Sequence, residues 1–298
     1  MTRIERFGWR GAPEPGIARV VSAHGDYYHL VCNEAAGEVL ARKKKSAFRD
    51  ADAVLPMTGD FVKFVHNTQG ESMITEVLPR FSHFERKDPT ARRKAQTLAV
   101  NFDALFVMMS ANENFSTARI DRFLTLAEDR GGGDVVVVVT KMDLLADGIG
   151  PEAEAALREL ERTVAGRARI IRISALAGEG MDAVRGYERP GRTLAFVGSS
   201  GVGKSTLLNV LAGEELAAVG DIQEWSGKGR HTTTSRELVM LPCGAMALDT
   251  RGGVRSGRVH GRQVEARRGK RTRHALRVGA LATCRASCYE HHHLRSTS

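Results

Sequence analysis

Thr140-Lys141-Met142-Asp143 closes a run of five valines, Val135 to Val139, and further along the chain Gly198-Ser199-Ser200-Gly201-Val202-Gly203-Lys204-Ser205-Thr206 follows the apolar stretch Leu194-Ala195-Phe196-Val197. The second segment has the composition of a phosphate loop set between a strand and a helix. Its glycines let the backbone curl so that N–H groups face an anion at a helix N-terminus. Lys204 can then reach terminal phosphates, and Ser205 takes a magnesium-ligand position. The first segment lies where ligands meet parallel sheets, at the C-terminal end of a strand. There a carboxylate at Asp143 can accept hydrogen bonds from guanine N1 and N2, and the stem of Lys141 can lie over the base. Adenine lacks that donor pattern. Ser174-Ala175-Leu176, at the end of the next strand, supplies a backbone N–H for guanine O6. The base-reading parts thus precede the phosphate loop, the reverse of ordinary GTPases, so the site reads as circularly permuted.

Around these motifs the chain alternates strands with helices. Ala104 to Met109 is a continuous apolar run, Ile120, Phe123, Leu124 and Ala127 follow at helical spacing, and Pro151 to Ala165 is a helix with proline at its start. Arg169 to Ile173, Thr193 to Val197 and Ala245 to Leu248 are further strands. Such alternation predicts a parallel sheet between helices. Before it, Ile17 to Val21, Tyr27 to Val31, Gly59 to Val65 and Met73 to Leu78 are short alternating segments with turn residues between them, the pattern of a small barrel. Arg42-Lys43-Lys44-Lys45 reads as a connection within that unit, either a solvated loop or an RNA phosphate contact.

Asp249-Thr250-Arg251-Gly252 ends the last strand as a magnesium-side aspartate does, with Gly252 placed to sense a γ-phosphate through its N–H. Between the phosphate loop and this turn lies Gly227-Lys228-Gly229-Arg230-His231-Thr232-Thr233-Thr234. It is a polar stretch suited to a switch whose threonine binds magnesium only when γ-phosphate is present. Thr233 is the expected ligand, with Thr232 the alternative.

The 298 residues suffice for two or three domains, and 42% apolar content is that of a chain with a real core. Residues 251–298 hold 12 Lys+Arg against 2 acids, leaving 32 against 33 in the preceding 250, so the net charge of +9 belongs to the tail. The tail also has 15 apolar residues in 48 and no Phe, Ile, Met or Trp, too few to bury much core. Four cysteines, Cys32, Cys243, Cys284 and Cys288, are too few for a disulfide framework. The mixed-charge start and the absence of a membrane-length apolar run point to the cytoplasm.

On Pro56-Met57-Thr58-Gly59-Asp60-Phe61-Val62, Leu78-Pro79-Arg80, Asn101-Phe102-Asp103, Thr140 to Asp143, Gly198 to Thr206, Lys228 to Thr234 and Asp249 to Gly252, the chain resembles the ribosome small-subunit-dependent GTPase A family over about residues 15 to 252. The resemblance implies an α/β chain with an N-terminal OB-fold barrel (1–80), a circularly permuted P-loop GTPase domain (81–252) and, in the family, a C-terminal zinc-binding domain. It further implies GTP/GDP with Mg2+ as ligands and a role in late maturation of the small ribosomal subunit. The barrel would contact rRNA, and the small subunit would stimulate a GTPase that is weak alone. A monomer is expected.

The chain departs from the family's pattern at two positions of the site and in the tail. Thr140 stands where many GTPases have Asn, which weakens contacts to the base. Arg251 replaces a proline. Gly253 and Val254 leave no water-positioning glutamine, a feature the family shares, so His231 is the candidate to orient water, with Lys204 and Thr233 completing the catalytic set. The family's Cys-x4-Cys-x-His-x5-Cys pattern is absent from 253–298. Cys284, Cys288 and His291 offer zinc-ligand types without that spacing, and the break in apolar periodicity from about residue 251 is what a shifted reading frame produces. Two other function classes stay open: a guanine-nucleotide-dependent RNA-binding module with little or no turnover, and a P-loop enzyme using ATP on a small molecule, against which Asp143 argues.

Overall fold

The computed structural model describes residues 1–50, 53–86, 96–111, 115–130, 132–145, 151–214 and 236–249. A short helix α1 (Arg3–Arg6) leads into strands β1 (Ile17–His24), β2 (Tyr27–Cys32), β3 (Val39–Lys43), β4 (Phe61–Val65) and β5 (Ser72–Val77). These close a barrel in the order β1-β2-β3-β5-β4, with β3 and β5 parallel and the other pairs antiparallel. Alternation fills the interior: Ala18 and Val20, Tyr28 and Leu30, Val39 and Ala41, Val62 and Phe64, and Ile74 form one buried cluster. The basic run is not wholly a connection, because Arg42 and Lys43 end β3. The sequence hides this strand because long charged side chains follow the two inward positions, Val39 and Ala41.

β6 (His83–Arg86) and β7 (Gln96–Val100) form a two-stranded antiparallel ribbon. Then come β8 (Ala104–Ser110), α2 (Thr117–Arg130), β9 (Asp134–Thr140), α3 (Pro151–Val164), β10 (Arg169–Arg172), α4 (Met181–Arg185), β11 (Thr193–Gly198), α5 (Lys204–Ala212), β12 (Leu238–Met240) and β13 (Met246–Asp249). The six-stranded sheet runs β10-β9-β8-β11-β13-β12. It is parallel except at its edge, where β12 is antiparallel to β13.

Both faces of this sheet are buried, which is why its strands read as continuous apolar runs rather than as alternations. Successive side chains go to opposite cores. Leu105, Val107, Val137, Val139, Ala195 and Val197 meet Ile120 and Leu124 of α2 and Leu157 and Leu160 of α3 on one side. Ala104, Phe106, Val136, Val138, Leu194 and Phe196 meet Met181 and Val184 of α4 and Leu207, Leu208 and Leu211 of α5 on the other. Each fully buried Val, Leu or Phe contributes about 1.5–3 kcal/mol relative to exposure, so these central strands anchor everything attached to their C-terminal ends. α3 has Glu152 and Glu154 in its first turn and Arg162 in its last, in agreement with the helix dipole.

The barrel is tied to the sheet by a buried polar seam. Arg19 of β1 is fully buried; it donates to the carbonyls of Phe7 and of Asn101 (2.9 Å to Asn101) and stacks over Phe61, 4.6 Å from the ring centroid. Burial weakens its hold on its proton, and Asp103 and Asp60 oppose that effect. Asp60, also fully buried, accepts two hydrogen bonds from Arg80 at 2.7 and 2.8 Å and one from the Met57 N–H. Asn101 donates from Nδ2 to the Gly59 carbonyl at 3.1 Å and accepts from the Phe81 N–H. The segments Pro56 to Val62, Leu78 to Arg80 and Asn101 to Asp103 therefore converge on one place.

Candidate functional site

The strand ends that face a ligand are those of β8, β9, β10, β11 and β13, as the parallel topology requires. The phosphate loop leaves β11 and enters α5. Gly201 (φ 73°) and Gly203 (φ 91°) adopt the left-handed conformation that this curl needs, and Gly203 is the N-cap of α5. Lys204, the first helical residue, is buried at 2% exposure; its ammonium donates to the carbonyls of Gly198 and Ser199 (2.7 Å to Ser199). The cation is thereby held inside the ring of the loop. Ser205 and Thr206 follow in the first turn of α5.

Thr140 ends β9, is 3% exposed, and turns its hydroxyl to the Val202 carbonyl of the phosphate loop at 2.7 Å, with a longer contact of 3.3 Å to the Met109 carbonyl. The position that departs from the common Asn thus ties the end of β9 to the loop, a role the four-residue motif does not reveal. Lys141 follows with φ 59°, a left-handed conformation uncommon for a residue with a side chain. It turns the chain into the short 3-10 segment Met142–Leu145, and the Met142 N–H is held by the Ile173 carbonyl at 3.1 Å.

Asp143 is fixed from the neighbouring strand. Ser174, fully buried, donates from Oγ to Asp143 Oδ1 at 2.6 Å and accepts from the Ala177 N–H at 3.1 Å. The bend after β10 is closed by paired backbone bonds between Ser174 and Glu179, each 3.1 Å. One Asp143 oxygen is oriented by the serine while the other keeps acceptor capacity. Ala175 follows on the same bend.

On the other side of the loop Asp249 closes β13, 5% exposed and opposite Phe196 of β11 in the parallel register. A hydroxyl at the start of α5 and a carboxylate at the end of the adjacent strand are oxygen donors of the kind magnesium takes, so the residues fit that ion. The structure brings together Thr140, Lys141, Met142, Asp143, Ser174, Ala175, Gly198 to Thr206 and Asp249 on one edge of the sheet. His231, Thr232, Thr233 and Gly252 lie outside the described residues, as do Arg251, Cys284, Cys288 and His291. Among the described residues no group of three or more His, Cys, Asp or Glu could hold a metal ion, and no helix is long and apolar enough to cross a membrane.

The RsgA GTPase family profile matches residues 77–257. A small ribosomal subunit biogenesis GTPase RsgA 2 of Lactiplantibacillus plantarum is 38% identical over 238 residues, which cover 79% of this chain and 65% of that protein. The chain thus spans a little under two thirds of that relative's length. Among solved structures, YjeQ from Thermotoga maritima superposes with a TM-score of 0.56 at 27% identity, covering 78% of this chain and 73% of that one. YloQ, a circularly permuted GTPase, superposes with a TM-score of 0.51 at 19% identity over 82% and 74% of the two chains, a likeness of fold alone.

Proposed function

The chain belongs to the RsgA GTPase family, and on that premise we propose that it is a guanine-nucleotide switch that hydrolyses GTP to GDP and phosphate when bound to the small ribosomal subunit, in late maturation of that particle. The observation that carries this reading is the Thr140 hydroxyl on the Val202 carbonyl at 2.7 Å, which joins the strand bearing Asp143 to the loop bearing Lys204. Base recognition and phosphate recognition then belong to one site despite their reversed order in the chain.

In this reading Asp143, aimed by Ser174, accepts from guanine, and the N–H of Ala175 faces O6. The loop N–H groups and Lys204 carry the phosphate charge. Ser205, Asp249 and Thr233 would hold magnesium, which would supply positive charge for the phosphates. His231 orients the attacking water, and the N–H of Gly252 senses the γ-phosphate. We assign residues 1–80 to an rRNA-contacting barrel, 81–252 to the GTPase domain and 253–298 to a basic tail standing in place of a zinc domain, and place the protein in the cytoplasm as a monomer.

The test is GTP hydrolysis by the full chain with and without purified small subunits, with ATP as the control nucleotide. Stimulation confined to GTP supports the proposal. Tight GDP binding without stimulation favours the alternative of a nucleotide-dependent RNA-binding module, and equal use of ATP removes the guanine reading altogether.

A further inference from the structure

We propose that Thr58, on a turn of the barrel, is a positioning residue for the nucleotide site, setting through β12 where the Asp249 carboxylate sits. The inference rests on the reading of Asp249 as the magnesium-side aspartate. Asp249 ends a strand supported by β11 on one flank and by β12 on the other. β12 is three residues long and lies at the sheet's edge, so the sheet alone gives it little hold.

The barrel supplies the rest. Thr58 is 1% exposed and donates from Oγ1 to the Arg236 carbonyl at 2.9 Å. The next residue, Glu237, forms an antiparallel bridge with Ser22 of β1, and its carbonyl accepts the Asp249 N–H at 3.3 Å. The Arg236 guanidinium is held by the Thr97 carbonyl of β7 at 2.9 Å. Beside Thr58, Gly59 lies so close to its neighbours that a β-carbon there would stand 2.9 Å from the Val100 carbonyl oxygen and 3.6 Å from a Leu248 methyl. The Thr58-Gly59 turn therefore holds the residues leading into β12 and leaves little space between itself and Leu248 of β13. It has little freedom to yield, because Asp60 is clamped by Arg80 and Asn101 donates to the Gly59 carbonyl.

The lead into β12 is tied to the barrel by the Thr58 hydroxyl on the Arg236 carbonyl and by the Ser22 bridge to Glu237, and the Asp249 N–H in turn rests on the Glu237 carbonyl. Loss of the Thr58 bond leaves the bridge as the remaining barrel tie and loosens the Asp249 contact, without touching the base contacts at Asp143 or the loop around Lys204. Since Asp249 acts on nucleotide through magnesium, the consequence belongs to the magnesium-dependent part of nucleotide affinity and to no other part. A threonine serving only to hold the fold together would weaken binding with and without the ion alike.

The experiment titrates the full-length chain with GDP and with a non-hydrolysable GTP analogue, in magnesium and in EDTA, for wild type, Thr58→Val and Thr58→Ser. The expected result is a magnesium-dependent gain in affinity reduced about 3–10-fold in Thr58→Val, with affinity in EDTA unchanged and the gain restored in Thr58→Ser. Thr58→Ala removes the same hydroxyl with less bulk and gives the same reading should the valine variant not fold. A full magnesium gain in a variant without the hydroxyl overturns the proposal, as does an equal loss in magnesium and EDTA. Asp249→Asn serves as the control: it abolishes the gain if Asp249 is the magnesium-side group. A gain that survives Asp249→Asn, or is missing from wild type, overturns that reading and the inference with it.

Discussion

Replacing Thr140 by Val keeps the shape of a buried side chain and removes one hydroxyl, so it isolates the bond between the base-reading strand and the phosphate loop. The lost hydrogen bond is 2.7 Å long and sits at a position 3% exposed, where water does not readily replace it. A typical net contribution of such a bond is about 0.5–1.5 kcal/mol, and a buried acceptor deprived of a donor costs about 1–3 kcal/mol. Val202 lies in the loop proposed to hold the phosphates, so a penalty of roughly 1–2 kcal/mol falls on the order of that loop, which ligand binding must then restore. At about 1.4 kcal/mol per tenfold, the dissociation constant for GDP rises roughly 5–30-fold. The discrimination of GDP over ADP stays as it was, because Asp143 and Ser174 are untouched. Thr140→Ser, which keeps the hydroxyl, binds close to wild type. Calorimetric titration of GDP and ADP against the three proteins measures all of this. An unchanged GDP affinity in Thr140→Val refutes the tie between strand and loop, and a collapse of GDP over ADP selectivity shows that Thr140 reads the base instead.

Three further outcomes are expected. Asp143→Asn exchanges an anionic acceptor for an amide that also donates, which weakens GDP by roughly 10–100-fold and improves xanthosine diphosphate, as a competition titration will show. Ser174→Ala removes the donor that aims Asp143 and lowers guanine affinity about 5–10-fold while leaving pyrophosphate binding unchanged. Glu237 is half-buried, and burial, reinforced by Glu38 and Asp249 and opposed by His29, raises its pKa above the ordinary 4.5. The folded state then holds this proton more tightly than the unfolded chain, so the group's contribution to stability falls as pH rises from 4.5 through the raised value. Glu237→Gln should accordingly melt higher than wild type at neutral pH, with the difference shrinking toward pH 4.5; a constant difference across that range contradicts the assignment.

What the sequence disclosed was whatever is written in local pattern. The valines of β9 and the apolar runs of β8 and β11 are buried on both faces of a parallel sheet, so hydrophobicity alone marks them. The phosphate-loop pattern is equally local, since its glycines, Lys204 and Ser205 stand close together in the chain. β3 escapes a reading of pattern because Arg42 and Lys43 carry its charged outer end, and β12 because three residues hold too little periodicity. The largest gap was in meaning rather than in detection. Pro56 to Asp60, Arg80 and Asn101 were visible as motifs, yet their purpose depends on partners far away in the chain, such as Thr58 with Arg236 and Arg19 with Asn101. At Thr140 the motif shows only a departure from Asn, because the partner of its hydroxyl, the Val202 carbonyl, lies 62 residues further along the chain.

The central claim is that Asp143 and the loop from Gly198 to Ser205 form one guanine-nucleotide site in permuted order. Competition of GDP and ADP for the full-length wild-type chain in magnesium tests it most directly. The account predicts that GDP wins by roughly a hundredfold or more, since a charged acceptor left without its guanine donors costs several kcal/mol. Equal affinity for the two nucleotides would contradict it, leaving a phosphate loop with no reader of the base.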